Sequence, residues 1–283
     1  MSEQMTAPGT SRGLIDVLRQ RYLLSLIVKK ELRVRYHGSM LGMAWSYVKP
    51  ATQFLVYFFA LGLFLGLNKG LAAYPIYLFS GLVVINYFNE IMTNATRTLV
   101  WNAPLIKKIY LPREMFPVSS IWVAVVHFLP QLVVLVVGAL FYGWRPTLLG
   151  LAAAVAGFII VTVLALGLGL FFGSINVFFR DAENLVDLIL LVATWAAPVL
   201  YPLDAVRAVL HSWLFTIYEL NPLTVAVELF HFAFWAPAAG APDTSPVTNL
   251  LELTALGGLV AFGFLILGQW VFHRLDGRFA QEL

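Results

Sequence analysis

Long apolar stretches and short charged ones alternate along this chain, and the change from one to the other is sharpest at Glu31–Pro50, ELRVRYHGSMLGMAWSYVKP. Before it, Gly13 to Tyr36 interleaves Leu14, Ile15, Leu18, Tyr22, Leu26 and Ile27 with Arg19, Arg21, Lys29, Lys30, Arg33 and Arg35. That pattern predicts a basic helix lying along an anionic membrane surface. The plainer alternative, an amphipathic helix of a soluble protein, does not account for the span that begins at once behind it. Residues Met1 to Ser11 are small and polar and predict no ordered element.

A helix needs about 20 largely apolar residues to cross ~30 Å of hydrocarbon. Six stretches meet that length or approach it: Trp45–Leu67, Pro75–Thr96, Phe116–Tyr142, Leu148–Phe172, Leu185–Tyr201 and Leu250–Phe272. Between the fifth and sixth, Ala205–Ile217 and Leu223–Trp235 are each too short to span and are split by Glu219-Leu-Asn-Pro222. A re-entrant helical hairpin at about 203–236 fits them best. One further span is the alternative, and Asn221-Pro222 in its middle argues against it. The expected fold class is therefore an all-α polytopic membrane protein, organised as an N-terminal tail (1–11), interfacial and gating helices (12–43) and a six-span domain (44–283).

Composition agrees: the 283 residues are 60% hydrophobic and only 12% charged, about half the charge of a soluble domain. The net charge of +3 matters less than its placement. With six spans, one side of the membrane receives the basic N-terminal helix, Lys49, Arg97, Lys107, Lys108, Arg113, Arg180, Arg274 and Arg278. The other side receives Lys69, Arg145 and Arg207. The excess predicts cytoplasmic N- and C-termini. The absence of cysteine excludes disulfides and thiolate chemistry. No phosphate-binding P-loop and no Gly-x-Ser-x-Gly occurs, so any nucleotide hydrolysis belongs to another chain.

Glu90 is the most informative acid, because an ionisable group inside a span is costly. Asn86, Glu90 and Asn94 recur every four residues and share a helix face. Polar glue between helices and a substrate or gating role both fit that stripe, with Arg97 a possible partner for the Glu. His127 stands alone in an apolar span and reads as a satisfied bundle histidine, and no metal site is expected. Gly38-x3-Gly42, Gly62-x3-Gly66 and Gly169-x3-Gly173 have the spacing that lets helices approach closely, within the chain sooner than between chains. Asp181 and Glu183 suit the positive start of the fifth span. The segment at about 99–113, LVWNAPLIKKIYLPR, reads either as a docking knob for another protein or as a solvated loop.

Several stretches, in order, resemble the membrane subunits of ABC polysaccharide exporters, the Wzm-like permeases for O-antigen, teichoic acid and related glycans: 31–50, LIKKIYLPRE (105–114), NVFFRD (176–181), PVLYP (198–202), NPLT (221–224) and WVFHRLDGRFA (270–280). Within that family the chain is most similar to actinobacterial members, galactan exporters among them. The resemblance implies a half-transporter of the cytoplasmic (inner) membrane, working as a homodimer with two ATPase subunits. ATP and magnesium would bind those partners, with no cofactor in this chain and no nucleic acid involved. The cargo would be a polyprenyl-pyrophosphate-linked polysaccharide. Gly38 and Gly42 would flex the gate through which it enters. Arg33 and Arg35 would meet the pyrophosphate as charge-assisted donors, with His37 and Lys49 beside them. Tyr57 and Phe58 would line the sugar path, and Glu90 would face the cargo. Trp101, Leu105, Lys107, Lys108, Tyr110 and Arg113 would form the coupling helix that seats in the ATPase. His37 and His231 depart from the family pattern, where basic residues are frequent, which puts a phosphate role for either in doubt. Two other classes share the same pattern: a membrane enzyme acting on glycolipids, with Glu90 or Asp181 catalytic, and an exporter of drugs or small lipids.

Overall fold

The structure, a computed structural model, describes residues 13–109, 111–240 and 249–283; the N-terminal tail and Tyr110 lie outside the described residues. Every regular element among the described residues is helical. The basic N-terminal segment is two helices, α1 (Leu14–Arg19) and α2 (Arg21–Tyr36), broken at Gln20. Leu24 and Ile27 of α2 are buried with Phe116, Phe272 and Phe279 in a core of their own, while Lys29, Lys30 and Arg33 stay exposed. The amphipathic pattern is thus met by docking one face on the bundle. Past a bend containing Gly38 and Gly42, which hold positive φ of 73° and 49° that other residues rarely adopt, α3 (Trp45–Tyr57) begins and runs on as a wide π-turn to Phe64.

Among the described residues five helices are long and apolar enough to cross a membrane: Gly42–Phe64, which contains α3, then α4 (Tyr74–Trp101), α6 (Met115–Phe141), α7 (Leu148–Phe178) and α13 (Leu250–Asp276). The short α5 (Ala103–Lys108) joins α4 to α6. α4 is the axis of the bundle and packs against α6, α7, the helix α8 (Ala182–Trp195) and the helix α11 (Pro222–Phe230). Its apolar window is 72% buried, against 11% for the first and last spans, which face outward. The expected span at 185–201 is α8, 14 residues or about 21 Å of helix, followed by turns through Pro202.

After α8 come α9 (Leu203–Val209), α10 (Ser212–Leu220) and α11 (Pro222–Phe230), which continues through a π-turn at His231–Trp235 into α12 (Ala236–Ala238). Asn221-Pro222 starts α11 rather than breaking a span: the Asn221 side chain accepts from Leu223 N at 3.1 Å, and Pro222 occupies the first turn, where no backbone donor is needed. α11 is buried throughout, against α4, α7 and α13. The chain ends in α14 (Phe279–Glu282).

Small residues set the tightest crossings. A β-carbon on Gly169 would lie 2.6 Å from that of Ala95, so the Gly169/Gly173 pair serves the α4–α7 contact inside the chain. At the α7–α13 crossing a β-carbon on Gly167 would meet the Leu265 backbone nitrogen at 2.5 Å, and Gly268 faces the Gly167 carbonyl just as closely.

Candidate functional site

The helical spacing of Asn86, Glu90 and Asn94 aims one polar face of α4 at α2 and α6. There it meets side chains from both. The Arg35 guanidinium, from the last turn of α2, forms an ion pair with Glu90 and donates to Asn94 Oδ1 at 2.7 Å. His127, from α6, places Nδ1 2.5 Å from Glu90 Oε1 and Nε2 2.6 Å from the Tyr36 hydroxyl. That hydroxyl is also 2.7 Å from Ser46 Oγ at the start of α3. One level further in, Asn86 donates to Gln131 at 3.3 Å, and Gln131 donates to the His127 carbonyl at 3.1 Å. Three helices therefore meet at one carboxylate, and α3 joins the network through Tyr36.

The network forms the wall of a cavity of about 670 Å³ between α2, α3, α4 and α6. Ser39, Lys49, Gln53, Asn89 and Thr93 add to its polar lining, and Asn89 Oδ1 has no protein partner. A smaller cavity of about 250 Å³ lies on the other side of Arg35 and Asn94 and reaches Trp101. Arg35 thus stands between two polar spaces with its side chain 34% exposed, while Glu90 is 21% and His127 5% exposed. A charge at bilayer depth costs about 2.5–3.5 kcal/mol on insertion scales, so the pairing of Arg35 with Glu90 explains how both are tolerated there. The arrangement presents Arg35 and Lys49 to an open cavity and holds Arg35 on the Glu90 carboxylate. Such a site can exchange one anion for another. Among the described residues no group of three or more metal-ligating side chains comes together.

Of the residues singled out in the sequence, Arg35, Lys49 and Glu90 meet at this cavity. Arg33 and His37 are exposed and lie outside its lining. Tyr57 and Phe58 pack on the edge of the main core, Phe58 stacking on Phe54 at 5.8 Å and on Tyr74 at 6.4 Å. Arg97 pairs with Asp187 (2.6 Å) and Glu183 (3.4 Å) of α8, leaving Glu90 to Arg35. In the expected coupling segment, Trp101, Lys107 and Lys108 are exposed, Leu105 is half-buried and Ile106 anchors α5 in the core. Arg113 turns the other way: it binds Asp276 at 2.9 Å, lies over the Phe279 ring and so fastens the C-terminal tail. His231, 0% exposed, has no access to a ligand.

His127 and Tyr36 are the site residues that reading the sequence missed. A signal existed for His127. Glu90 lies eleven residues before the end of α4, and His127 twelve after the start of α6, so the two stand at equal depth on either side of the turn that joins these helices.

Residues 22–235 match the model of the ABC-2 type transporter family. The chain is 30% identical over 266 residues to an O-antigen export system permease protein RfbA of Klebsiella pneumoniae, covering 92% of this chain and 95% of the relative. It is 27% identical to the protein of that name in Myxococcus xanthus, over 85% and 90% of the two chains. To the polysialic acid transport protein KpsM of Escherichia coli it is 21% identical, over 74% and 80%. With its apolar spans and its match across most of its length, the chain is an integral membrane permease that belongs to the ABC-2 type transporter family.

Proposed function

We propose that this chain is the permease subunit of an ATP-driven exporter that moves a polyprenyl-diphosphate-linked polysaccharide, of O-antigen, galactan or teichoic-acid type, across the cytoplasmic membrane. It works as a homodimer with two separate ATPase subunits, which bind the ATP and magnesium. Both termini are cytoplasmic, α8 with its following turns acts as a sixth crossing, and α9 to α12 form a re-entrant gate at the opposite face. The solvent-facing Lys107 and Lys108 of α5 seat in the ATPase.

The observation that carries this reading is the cavity between α2, α3, α4 and α6, where Arg35 and Lys49 face a space of about 670 Å³. A diphosphate is a compact anion that accepts charge-assisted hydrogen bonds, each worth about 1.5–3 kcal/mol. Arg35 is held at the cavity wall by Glu90 and Asn94, contacts that an arriving anion can replace. The relatives' names, O-antigen and polysialic acid export, favour a glycan cargo over a drug or small lipid.

The test is copurification with a candidate ATPase, then ATP hydrolysis in lipid with and without a lipid-linked glycan. The expected result is a stable complex whose turnover responds to the glycan and which is lost in the Lys107→Glu/Lys108→Glu variant. A chain that purifies alone, binds no ATPase and transforms a glycolipid by itself overturns the reading in favour of a membrane enzyme.

A further inference from the structure

We infer that His127 is a positioning residue that couples anion binding to proton uptake: when the ligand draws Arg35 away from Glu90, the His127 ring takes up a proton and keeps the Glu90 carboxylate compensated. The inference rests on the reading of this cavity as a diphosphate site.

The geometry makes the ring able to titrate without moving. A carboxylate oxygen 2.5 Å from Nδ1 requires a proton on that nitrogen. The second nitrogen, 2.6 Å from the Tyr36 hydroxyl, is served in either state. With a neutral ring, Tyr36 donates to Nε2. With a charged ring, Nε2–H donates to the Tyr36 oxygen, and the hydroxyl proton turns to Ser46 Oγ at 2.7 Å. These bonds to Glu90, Tyr36 and Ser46 are kept in both forms once the Tyr36 hydroxyl turns from Nε2 to Ser46 and the Ser46 hydroxyl, which donates to Tyr36 in the neutral form, turns aside.

The charge count supplies the reason to titrate. Arg35 and Glu90 cancel in the empty site. If Arg35 turns to a bound anion, a carboxylate of 21% exposure is left beside that anion with no cation of its own. The ionisable groups that face His127 are Arg35 and Tyr36 from α2, Glu90 from α4 and, across the cavity, Lys49 from α3. α6 carries no other ionisable side chain. Arg35 and Lys49 are then engaged by the ligand, and the Tyr36 phenol offers no basic nitrogen. Imidazole is the one group present whose ordinary range allows it to gain a proton there. Ligand binding and proton binding at His127 thereby favour each other, as linkage requires.

The test is calorimetry on the full chain in lipid nanodiscs at pH 7.5, in two buffers of different ionisation enthalpy. The probe is farnesyl-diphospho-N-acetylglucosamine, a diphosphate diester whose charges are fixed near neutral pH. The expected result is binding that takes up a fraction of a proton approaching one, with affinity falling by up to about tenfold per pH unit above the ring's titration. His127→Asn, which still offers an N–H to Glu90, should bind with no uptake and a flat pH profile. His127→Gln serves as a second variant should the first fail to fold. Binding that Arg35→Ala abolishes, but that takes up no proton in the wild type, overturns this inference alone. Unchanged uptake in a folded His127 variant also overturns it alone. No binding, or equal binding by Arg35→Ala, overturns the diphosphate site and this inference with it.

Discussion

Among the described residues the bundle contains two glutamate–histidine pairs, about 20 Å apart along α4, and they are built differently. Glu90 and His127 come from different helices and meet at 2.5 Å on the wall of an open cavity, with Arg35 as a third, movable partner. Glu228 and His231 lie three positions apart on the continuous α11 helix, 3.2 Å from each other, with side chains 3% and 0% exposed. The His231 ring stacks on Tyr77 at 3.9 Å, and its Nε2 lies 3.2 Å from the Tyr77 carbonyl. Nearby Glu219, at the end of α10, is held above the ordinary carboxylate range by burial, against the pull of Arg207. The same two side chains thus form a joint in one place and an adjustable contact in the other. What separates them is access: only the first pair has solvent beside it and a cation that can leave.

The largest expected effect lies at the sealed pair. Removing one partner of a buried pair costs about 3–5 kcal/mol, so His231→Ala should sharply reduce the folded fraction in thermal unfolding in detergent. The double change Glu228→Leu/His231→Phe, which removes both polar partners together, should recover much of the loss. If export falls in the double variant while unfolding stays normal, the sealed pair has a working role and the contrast fails.

Arg35→Ala should show the opposite profile. Its side chain is 34% exposed and its pair with Glu90 borders an open cavity, so the folded fraction should fall less than in His231→Ala. Loss of one charge-assisted contact to a diphosphate, about 1.5–3 kcal/mol, should lower glycan-stimulated ATP turnover and export by about ten- to a hundredfold. Arg33→Ala, which alters a residue outside the cavity lining, serves as the matched control and should change export less than threefold.

Much of this fold was legible in the chain, and the exceptions share a cause. The alternation of apolar and charged stretches placed the five long apolar helices among the described residues to within three residues at one end or both, because lipid imposes length and composition directly. α8 and α11 were harder. Their depth depends on what α4 and α7 leave uncovered, and a 14-residue helix carries no signal of length. The helix face bearing Asn86, Glu90 and Asn94 was readable from spacing alone, but its partners were not. Tyr36 sits ninety-one residues from the histidine that it touches. Tyr57 and Phe58 read as candidates for a sugar path because aromatic rings suit both sugars and cores; in the structure they pack at the core's edge. Gly169-x3-Gly173 was visible as a motif, whereas the closest crossing pairs Gly167 with Gly268 on a distant helix. Periodicity identifies faces, and tertiary contact alone says which face meets which.

The smallest expected effect is the sharpest test of the open pair, because its sign is informative. Glu90→Gln keeps the shape and most of the hydrogen bonds but removes the charge that competes for Arg35. If Glu90 holds Arg35 in reserve, the neutral amide releases it more readily. Affinity for the diphosphate probe should then rise by about two- to tenfold, the size expected for one ion pair at a wet site. With no carboxylate to compensate, the proton uptake assigned to His127 should vanish in the same variant. If Glu90 instead contacts the cargo or performs chemistry on it, the same substitution must lower affinity or turnover. Isothermal titration of wild type and variant at one pH separates these outcomes, since a competitor and a ligand move the binding constant in opposite directions.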